Sequence, residues 1–274
     1  MIIRRSTARV RPGLLDEFRT FIEAGTTQFA SFDGFLADAI VVGPDILTYV
    51  SWWRDADALA AYAGPGWRTD PVVLQDEDRF LVEPLRLRHV ELRPAEQADA
   101  PAFAAVWHAA WGDGHRGLVP PELEAVRTRE AFGPRAAARV PGTTVAVADV
   151  VPDGAGHANG SGGPAAGGVP GLGIVGFVTV EGDEVEQLFV AADQRGSGVA
   201  ADLLSAGEER IAAAGHREAW LAVVAGNARA RRFYERQGWS DGGPLDYQAE
   251  TAEGLVPVPT RRYVKRLAGG RSGS

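Results

Sequence analysis

Cysteine is absent from the 274 residues, which removes disulfides, thiolate metal sites and a cysteinyl acyl intermediate. The absence fits a reducing compartment. Lysine is nearly absent too: Lys265 is the only one, so arginine carries almost all the positive charge. With alanine and glycine so frequent, that bias points to a GC-rich genome and not to a function. No apolar run approaches the length of a membrane span, and Met1–Thr7 has no apolar h-region of the secretory kind. The expectation is a soluble, cytoplasmic protein without a membrane partner. Positive charge is not in excess either: 28 Lys and Arg face 36 Asp and Glu, a net charge of −8. That balance argues against general nucleic-acid binding and leans toward a small cationic substrate such as an amine. His108, Asp113 and His115 can be drawn as a metal cluster, but their spacing fits no known ligand set, so no metal is expected.

What is present is ordinary globular material, 45% hydrophobic and 23% charged, in a chain longer than one average domain. Its most informative stretch runs from Val185 to Ala214. Val185–Val190 mixes β-branched, aromatic and large apolar residues, as a buried strand does. Ala200, Leu203, Leu204, Gly207 and Ile211 recur at helical spacing, with Gly215 as the C-terminal stop. Between them, Arg195-Gly-Ser-Gly-Val-Ala200 is short and small, so it must turn tightly. Strand, glycine turn and helix start together aim backbone N–H groups at one point, which suits a phosphate. The run from Gly196 to Ala201 also satisfies the loose dinucleotide fingerprint. That reading needs an acidic residue ending the next strand. Here the strand Ala219–Val224 leads into Ala225-Gly226-Asn227, and the dinucleotide reading fails.

Arg195-x-x-Gly198-x-Ala200 resembles instead the coenzyme A loop of the GCN5-related N-acetyltransferases (GNAT). The segment Asn227-x-x-Ala230-x-x-Phe233-Tyr234-x-x-x-Gly238-Trp239 meets a second pattern of that family at every position and at the expected distance. Val90–Ala95 and Arg262–Leu267 look like its usual first and last strands. The resemblance covers about two-thirds of the chain and implies a mixed α/β acetyltransferase domain that uses acetyl-CoA. It implies that the turn, Arg195, Gly196, Ser197, Gly198, Val199 and Ala200, holds the pyrophosphate, with Gly196 and Gly198 permitting close approach. Leu188, Phe189 and Val190 would pair with the pantetheine arm, and Asn227 would cap a helix and bond that arm. Tyr234 would be the general acid, since phenol and thiol pKa values lie within roughly two units of each other. The acceptor amine needs a base, and Glu186, or Glu184 and Asp183 before it, is the candidate. Arg229, Arg231 and Arg232 are candidates for the 3′-phosphate of CoA.

The first 86 residues read differently. A strand over Ile2–Val10, at a sheet edge, precedes a helix opened by Pro12-Gly13 that carries Leu14, Leu15, Phe18, Phe21 and Ile22 on one face. Strands at Ala39–Val42 and Ile46–Trp53 flank the turn Gly43-Pro44-Asp45. Asp55 caps a helix over Ala56–Tyr62, and Pro71–Leu85 includes a last extended segment. The order βαββαβ is that of a ferredoxin-like unit. The Asp-Gly-Phe turn, the Tyr49–Trp53 strand and the Asp-Ala-Asp-Ala-Leu helix resemble the antibiotic-biosynthesis-monooxygenase (ABM) type of small α+β domain. That resemblance implies a homodimer through paired sheets. No Asn occurs in the chain before its first histidine, His89, which disfavours haem degradation, as haem-degrading relatives use both residue types. Trp52, Trp53, Trp67 and Tyr62 are read as core or dimer-interface aromatics, although a cofactor-free oxygenase pocket would use the same residues.

The second domain is expected from 87 to 268. Its first helix opens at Asp99-Ala-Pro101, with Phe103, Val106, Trp107 and Trp111 as its apolar face, and Gly112–Pro121 is a loop before a helix from Glu122. Trp107, Trp111, His115 and Arg116 are candidate acceptor contacts, the tryptophans being equally compatible with packing. Thr143–Val150 and Gly173–Val180 read as paired strands around a Gly-, Ala- and Pro-rich insertion, 151–172, too polar and small to stay ordered. Residues 269–274 are a disordered tail. The fold class is α+β, a ferredoxin-like domain followed by a GNAT domain. The function expected is acetyl transfer to an amine by direct attack in a ternary complex, with an N-terminal dimerisation or sensing module. The rivals are an ABM-type monooxygenase with an auxiliary GNAT domain and a non-catalytic acyl-CoA sensor.

Overall fold

The structure is a computed structural model that describes residues 1–150, 171–251 and 254–267. Most of the insertion expected at 151–172 and the tail at 269–274 lie outside the described residues. The chain divides into two compact units, Met1–Leu92 with Ala148–Leu172, and Arg93–Val147 with Gly173–Ser274.

In the first unit β1 (Ile2–Arg9), α1 (Leu15–Thr26), β2 (Phe35–Val42), β3 (Ile46–Trp53), α2 (Ala56–Ala63) and β4 (Arg86–Pro94) follow in order. The strands lie β2-β3-β1-β4, all antiparallel. Two expectations are corrected. β1 is not an edge: Ile2 faces Trp53 on one side and Glu91 on the other, and Ile2, Ile3 and Arg4 are all buried. Residues 71–85 hold no strand, only the single bridge Val10–Leu81 and a short 3-10 turn over Glu77–Phe80. The fourth strand is β4, which sequence patterning assigns to the second domain, so the division comes after Leu92 and not at 86.

Phe18, Ile22, Leu47 and Phe80 fill one end of this core, and Trp53, Leu59 and Trp67 the other. Trp53 is fully buried and stacks on Tyr62 at 4.8 Å, while Trp67 meets His89 edge-on at 5.0 Å. The Asp55 carboxylate accepts from the Ala58 N–H at 2.8 Å, closing the first turn of α2. Arg4, buried, donates to the Asp70 carbonyl at 3.1 Å and lies 3.2 Å from His89 Nε2. Burial first, then the positive charges of Arg4 and Arg68, lower the His89 pKa to about 4. His89 is therefore neutral, and its Nε2 accepts from Arg4.

The second unit contains α3 (Ala100–His115), α4 (Pro121–Val126), α5 (Arg129–Arg139), β5 (Thr143–Val150), β6 (Gly171–Glu181), β7 (Glu184–Val190), α6 (Val199–Ala213), β8 (Glu218–Val224), α7 (Ala228–Arg236), β9 (Ser240–Thr251) and β10 (Gly254–Arg266). The strands lie β5-β6-β7-β8-β10-β9. Phe103 and Trp107 of α3, Phe132 and Ala136 of α5, and Val145 and Phe177 of the sheet form one core cluster. Leu203, Leu204 and Ile211 bury the inner face of α6.

Gly112–His115 belongs to α3 and is not loop. Gly114 is buried, and a Cβ there would lie 3.3 Å from Asn227 Nδ2. The glycine is therefore needed for a close approach, although it costs the helix about 1 kcal/mol against alanine. Residues 242–251 and 254–258, which carry no readable pattern, belong to the paired strands β9 and β10.

Candidate active site

The Gly196–Ala200 turn is built for an anion. Gly196 and Gly198 sit at φ +79° and +94°, left-handed values that a Cβ strongly disfavours. Gly198 is the N-cap of α6. The N–H groups of Arg195 and Ser197 bond to carbonyls of the preceding turn, and that of Val199 is 3.4 Å from Ser197 Oγ. Those of Gly196, Gly198 and Ala200 have no partner among the described residues. Three unsatisfied donors at the positive end of a 15-residue helix form an anion nest. Two expected contacts are refined: Val199 is a core residue, 1% exposed, and the Ser197 hydroxyl donates to the Gln194 carbonyl at 2.6 Å. Neither side chain lines the groove. The Arg195 guanidinium bonds the Asp113 carboxylate of α3.

From this turn a groove of about 470 Å³ runs along Val190, Phe189 and Leu188 to Asn227 and Tyr234. β7 and β8 are parallel neighbours, yet they pair only at Glu184–Trp220, near their N-terminal ends. Beyond that point the Leu188–Val190 backbone is unpaired on its β8 side, an open edge that can accept an extended chain. Asn227 Oδ1 accepts from the Ala230 N–H at 3.0 Å, and its Nδ2 donates to the Gly114 carbonyl at 3.1 Å. One side chain thus caps α7 and ties it to α3. Arg229 lines the groove and so does Arg236, which the sequence reading passed over. Arg231 instead pairs with Asp241 and with the Tyr263 hydroxyl. Phe233 is a groove wall as well as a packing residue.

A second pocket, about 210 Å³, adjoins the groove. His115, Leu188, Phe189, Asn227, Ala230 and Tyr234 line both cavities, so they mark the junction. The Tyr234 hydroxyl makes no hydrogen bond among the described residues, and burial pushes its pKa up. At neutral pH it is a protonated donor. His115 stacks flat on Trp111 at 4.8 Å, and its Nδ1 lies 3.0 Å from the Trp111 carbonyl. That contact requires Nδ1–H, leaving Nε2 as an acceptor; burial lowers the His115 pKa and keeps the ring neutral.

Glu186 does not have a free carboxylate. Arg139 Nε donates to its two oxygens at 2.9 and 3.0 Å, and Nη2 adds a third contact. The β6–β7 register passes from Thr179–Gln187 to Val180–Val185, so Glu186 is the extra residue of a β-bulge. Asp183 accepts from Trp220 Nε1 at 3.1 Å. Glu184 is the carboxylate left over: it lines the pocket, and no ion pair holds it among the described residues. Burial, then repulsion from Glu186, Glu181 and Asp183, raises its pKa to about 7.

Trp107, 3% exposed, and half-buried Trp111 both line the pocket. Arg116 is exposed beyond the end of α3 and lines neither cavity, so it is not brought to the site. Arg127, Arg135 and Arg139 line the pocket and were not foreseen. Pro134 inside α5 hides the i, i+4 pair Arg135 and Arg139, which helical periodicity would otherwise expose. His108, Asp113 and His115 each have other partners: Asp113 bonds Arg195, His115 lies on Trp111, and His108 packs edge-on against Phe132.

Residues 164–239 match the acetyltransferase (GNAT) family model. This segment is a GNAT acetyltransferase domain. The match contains the turn, the open edge of β7, Asn227 and Tyr234. No curated protein matches the chain. Among solved structures, the GCN5-related N-acetyltransferase of Rhodopseudomonas palustris is similar at 21% identity, covering 65% of this chain and 95% of its own, with a TM-score of 0.45. The PaiA N-acetyltransferase of Thermoplasma acidophilum, solved with coenzyme A, gives 14%, 65%, 98% and 0.41. YncA of Salmonella typhimurium, solved with acetyl-CoA, gives 16%, 68%, 98% and 0.43.

Proposed function

We propose that this acyltransferase moves an acetyl group from acetyl-CoA to an amine, with Glu184 as the general base and Tyr234 as the general acid. The observation that carries the reading is the path itself. Three unpaired N–H groups lead along an unpaired strand edge to a junction where an unbonded, protonated phenol meets a second pocket with a carboxylate poised near neutrality. The N–H groups of Gly196, Gly198 and Ala200 suit the pyrophosphate, the β7 edge suits the amides of the pantetheine arm, and Arg229 and Arg236 suit the 3′-phosphate. Acetyl-CoA, when bound, supplies the activated acetyl thioester. Glu184 removes a proton from the acceptor ammonium so that the nitrogen lone pair is available. Tyr234 gives its phenolic proton to the departing sulfur. Glu186, held as a carboxylate by Arg139, contributes repulsion that keeps Glu184 basic, and this takes the place of the base role first expected of it.

A base with a pKa of about 7 is protonated and inactive in acid. The rate at limiting acceptor should therefore rise with pH through that value and level off above it. Glu184→Gln should remove this limb and lower the plateau by about 10² or more. A rising limb that survives Glu184→Gln would transfer the role elsewhere, with His115 Nε2 the next group in the pocket.

For the first unit we propose a ferredoxin-like, ABM-type dimerisation module. A cavity of about 40 Å³ lies between Phe18, Tyr49 and Tyr62 and has room for a water. The strand β2 leaves Leu36, Val41 and Val42 more than two-fifths exposed, with Ile46 beside them, a patch suited to a second copy. Light scattering should give twice the chain mass of 29.1 kDa, and Val41→Lys should yield monomer. A wild-type monomer would defeat the assignment.

A further inference from the structure

We propose that the acceptor is an amine that also carries a carboxylate on a largely apolar body, as an amino acid does, and that Trp107 and Arg135 receive that carboxylate. The inference deepens the amine-acetyltransferase reading and rests on it.

The first observation is an orphaned donor. Trp107 lines the acceptor pocket and is 3% exposed, and its Nε1–H is buried without an acceptor. Indole nitrogen can only donate, and buried donors without a partner are rare enough in native proteins to need an explanation. The ring around that nitrogen is held firmly, edge-on to Phe132 at 5.2 Å and Phe177 at 5.6 Å, with the Arg139 guanidinium 5.4 Å from its centroid. Repacking is therefore a poor way to satisfy it, and the acceptor we assign to it is a ligand oxygen entering from the pocket that Trp107 lines.

The second observation is charge. Arg127, Arg135 and Arg139 line the same pocket against Glu184 and Glu186. Glu186 is spent on Arg139, and Arg135, one helical turn earlier, makes no ion pair among the described residues. A half-buried guanidinium lining the same pocket as an unsatisfied indole N–H adds donors and no acceptor, the complement of a carboxylate. The pocket is thus more positive than the chain's net charge of −8 suggests. A polycation, which that net charge would favour, meets Arg135 and Arg127 on entry. An amine bearing one carboxylate places its ammonium toward Glu184 and its anion toward Arg135.

The body between those groups would lie against Leu123, Phe132, Val224 and Val258, apolar side chains of a pocket that also carries many polar groups. A volume of about 210 Å³ is below the range of about 300–1,000 Å³ that drug-sized ligands occupy. A single amino acid matches it better than a long peptide does.

The test uses matched acceptors at saturating acetyl-CoA: phenylalanine against phenethylamine, and leucine against isoamylamine, with the methyl esters as neutral controls. Free CoA is read with a thiol-reactive dye, which the absence of cysteine leaves unambiguous. We expect kcat/KM for the carboxylate-bearing member of each pair to exceed that of its amine and ester by at least about tenfold. Arg135→Gln should collapse that ratio toward one, and Arg135→Lys should restore part of it. Equal or higher kcat/KM for the plain amines in the wild-type protein would overturn the proposal whatever the variants do. CoA release with no member of the panel would instead overturn the amine-acetylation reading, and the proposal with it.

Discussion

Gly198→Glu is expected to abolish acetyl-CoA binding in a calorimetric titration. The effect has two sources that can be separated. Gly198 sits at φ +94°, where an L side chain costs roughly 1–2 kcal/mol, and Gly198→Ala carries that cost alone. Glutamate adds a negative charge beside the N–H groups of Gly196, Gly198 and Ala200, the donors an incoming pyrophosphate needs. The alanine variant should therefore bind more weakly, and the glutamate variant not detectably, with both retaining the wild-type circular dichroism. Residue 198 is the N-cap and the α6 core residues Leu203, Leu204 and Ile211 are untouched, so both variants are expected to fold. Undiminished binding by folded Gly198→Glu would mean that the cofactor does not use this turn, and the groove along β7 would lose its anchor.

The turn was legible because its chemistry is local. Two glycines, a strand before them and a helix after them determine where the backbone donors point, and no distant residue is needed. Asn227 and Tyr234 were legible for the same reason, as members of one short segment. The base was not. Glu184 and Glu186 lie on one strand with Asp183 in the turn just before it, and sequence pattern alone cannot separate them. What separates them lies far away in sequence: Arg139 reaches Glu186 from α5, and Trp220 reaches Asp183 from β8. The bulge at Glu186 also breaks the period-two rule on which face assignments depend.

The errors elsewhere have the same origin. Gly112 and Gly114 look like loop residues until Asn227 is seen against Gly114. β1 alternates like an edge strand, yet Arg4 finds carbonyls of Trp67 and Asp70 inside the unit and can be buried. Tertiary partners decide each of these, and local propensity yields.

Tyr234→Phe is expected to lower kcat by about 10² and to leave acetyl-CoA affinity nearly unchanged. The separation follows from what the hydroxyl touches. It makes no hydrogen bond among the described residues, so its removal breaks no contact that holds α7. The ring stays packed by Phe233, Trp239 and Tyr263, with centroids 5.2–6.1 Å away. Asn227 still caps the helix and still bonds Gly114. What is lost is a proton donor whose pKa burial keeps high, so that it is fully protonated when a thiolate must leave. The defect should shrink for an acyl thioester of a more acidic thiol, because a better leaving group needs less protonation. A structural role would lower the rate for both thioesters equally, and an unchanged kcat would remove Tyr234 from the chemistry. The dependence on leaving group thus distinguishes an acid from a wall of the pocket, a distinction that the loss of rate alone would not make.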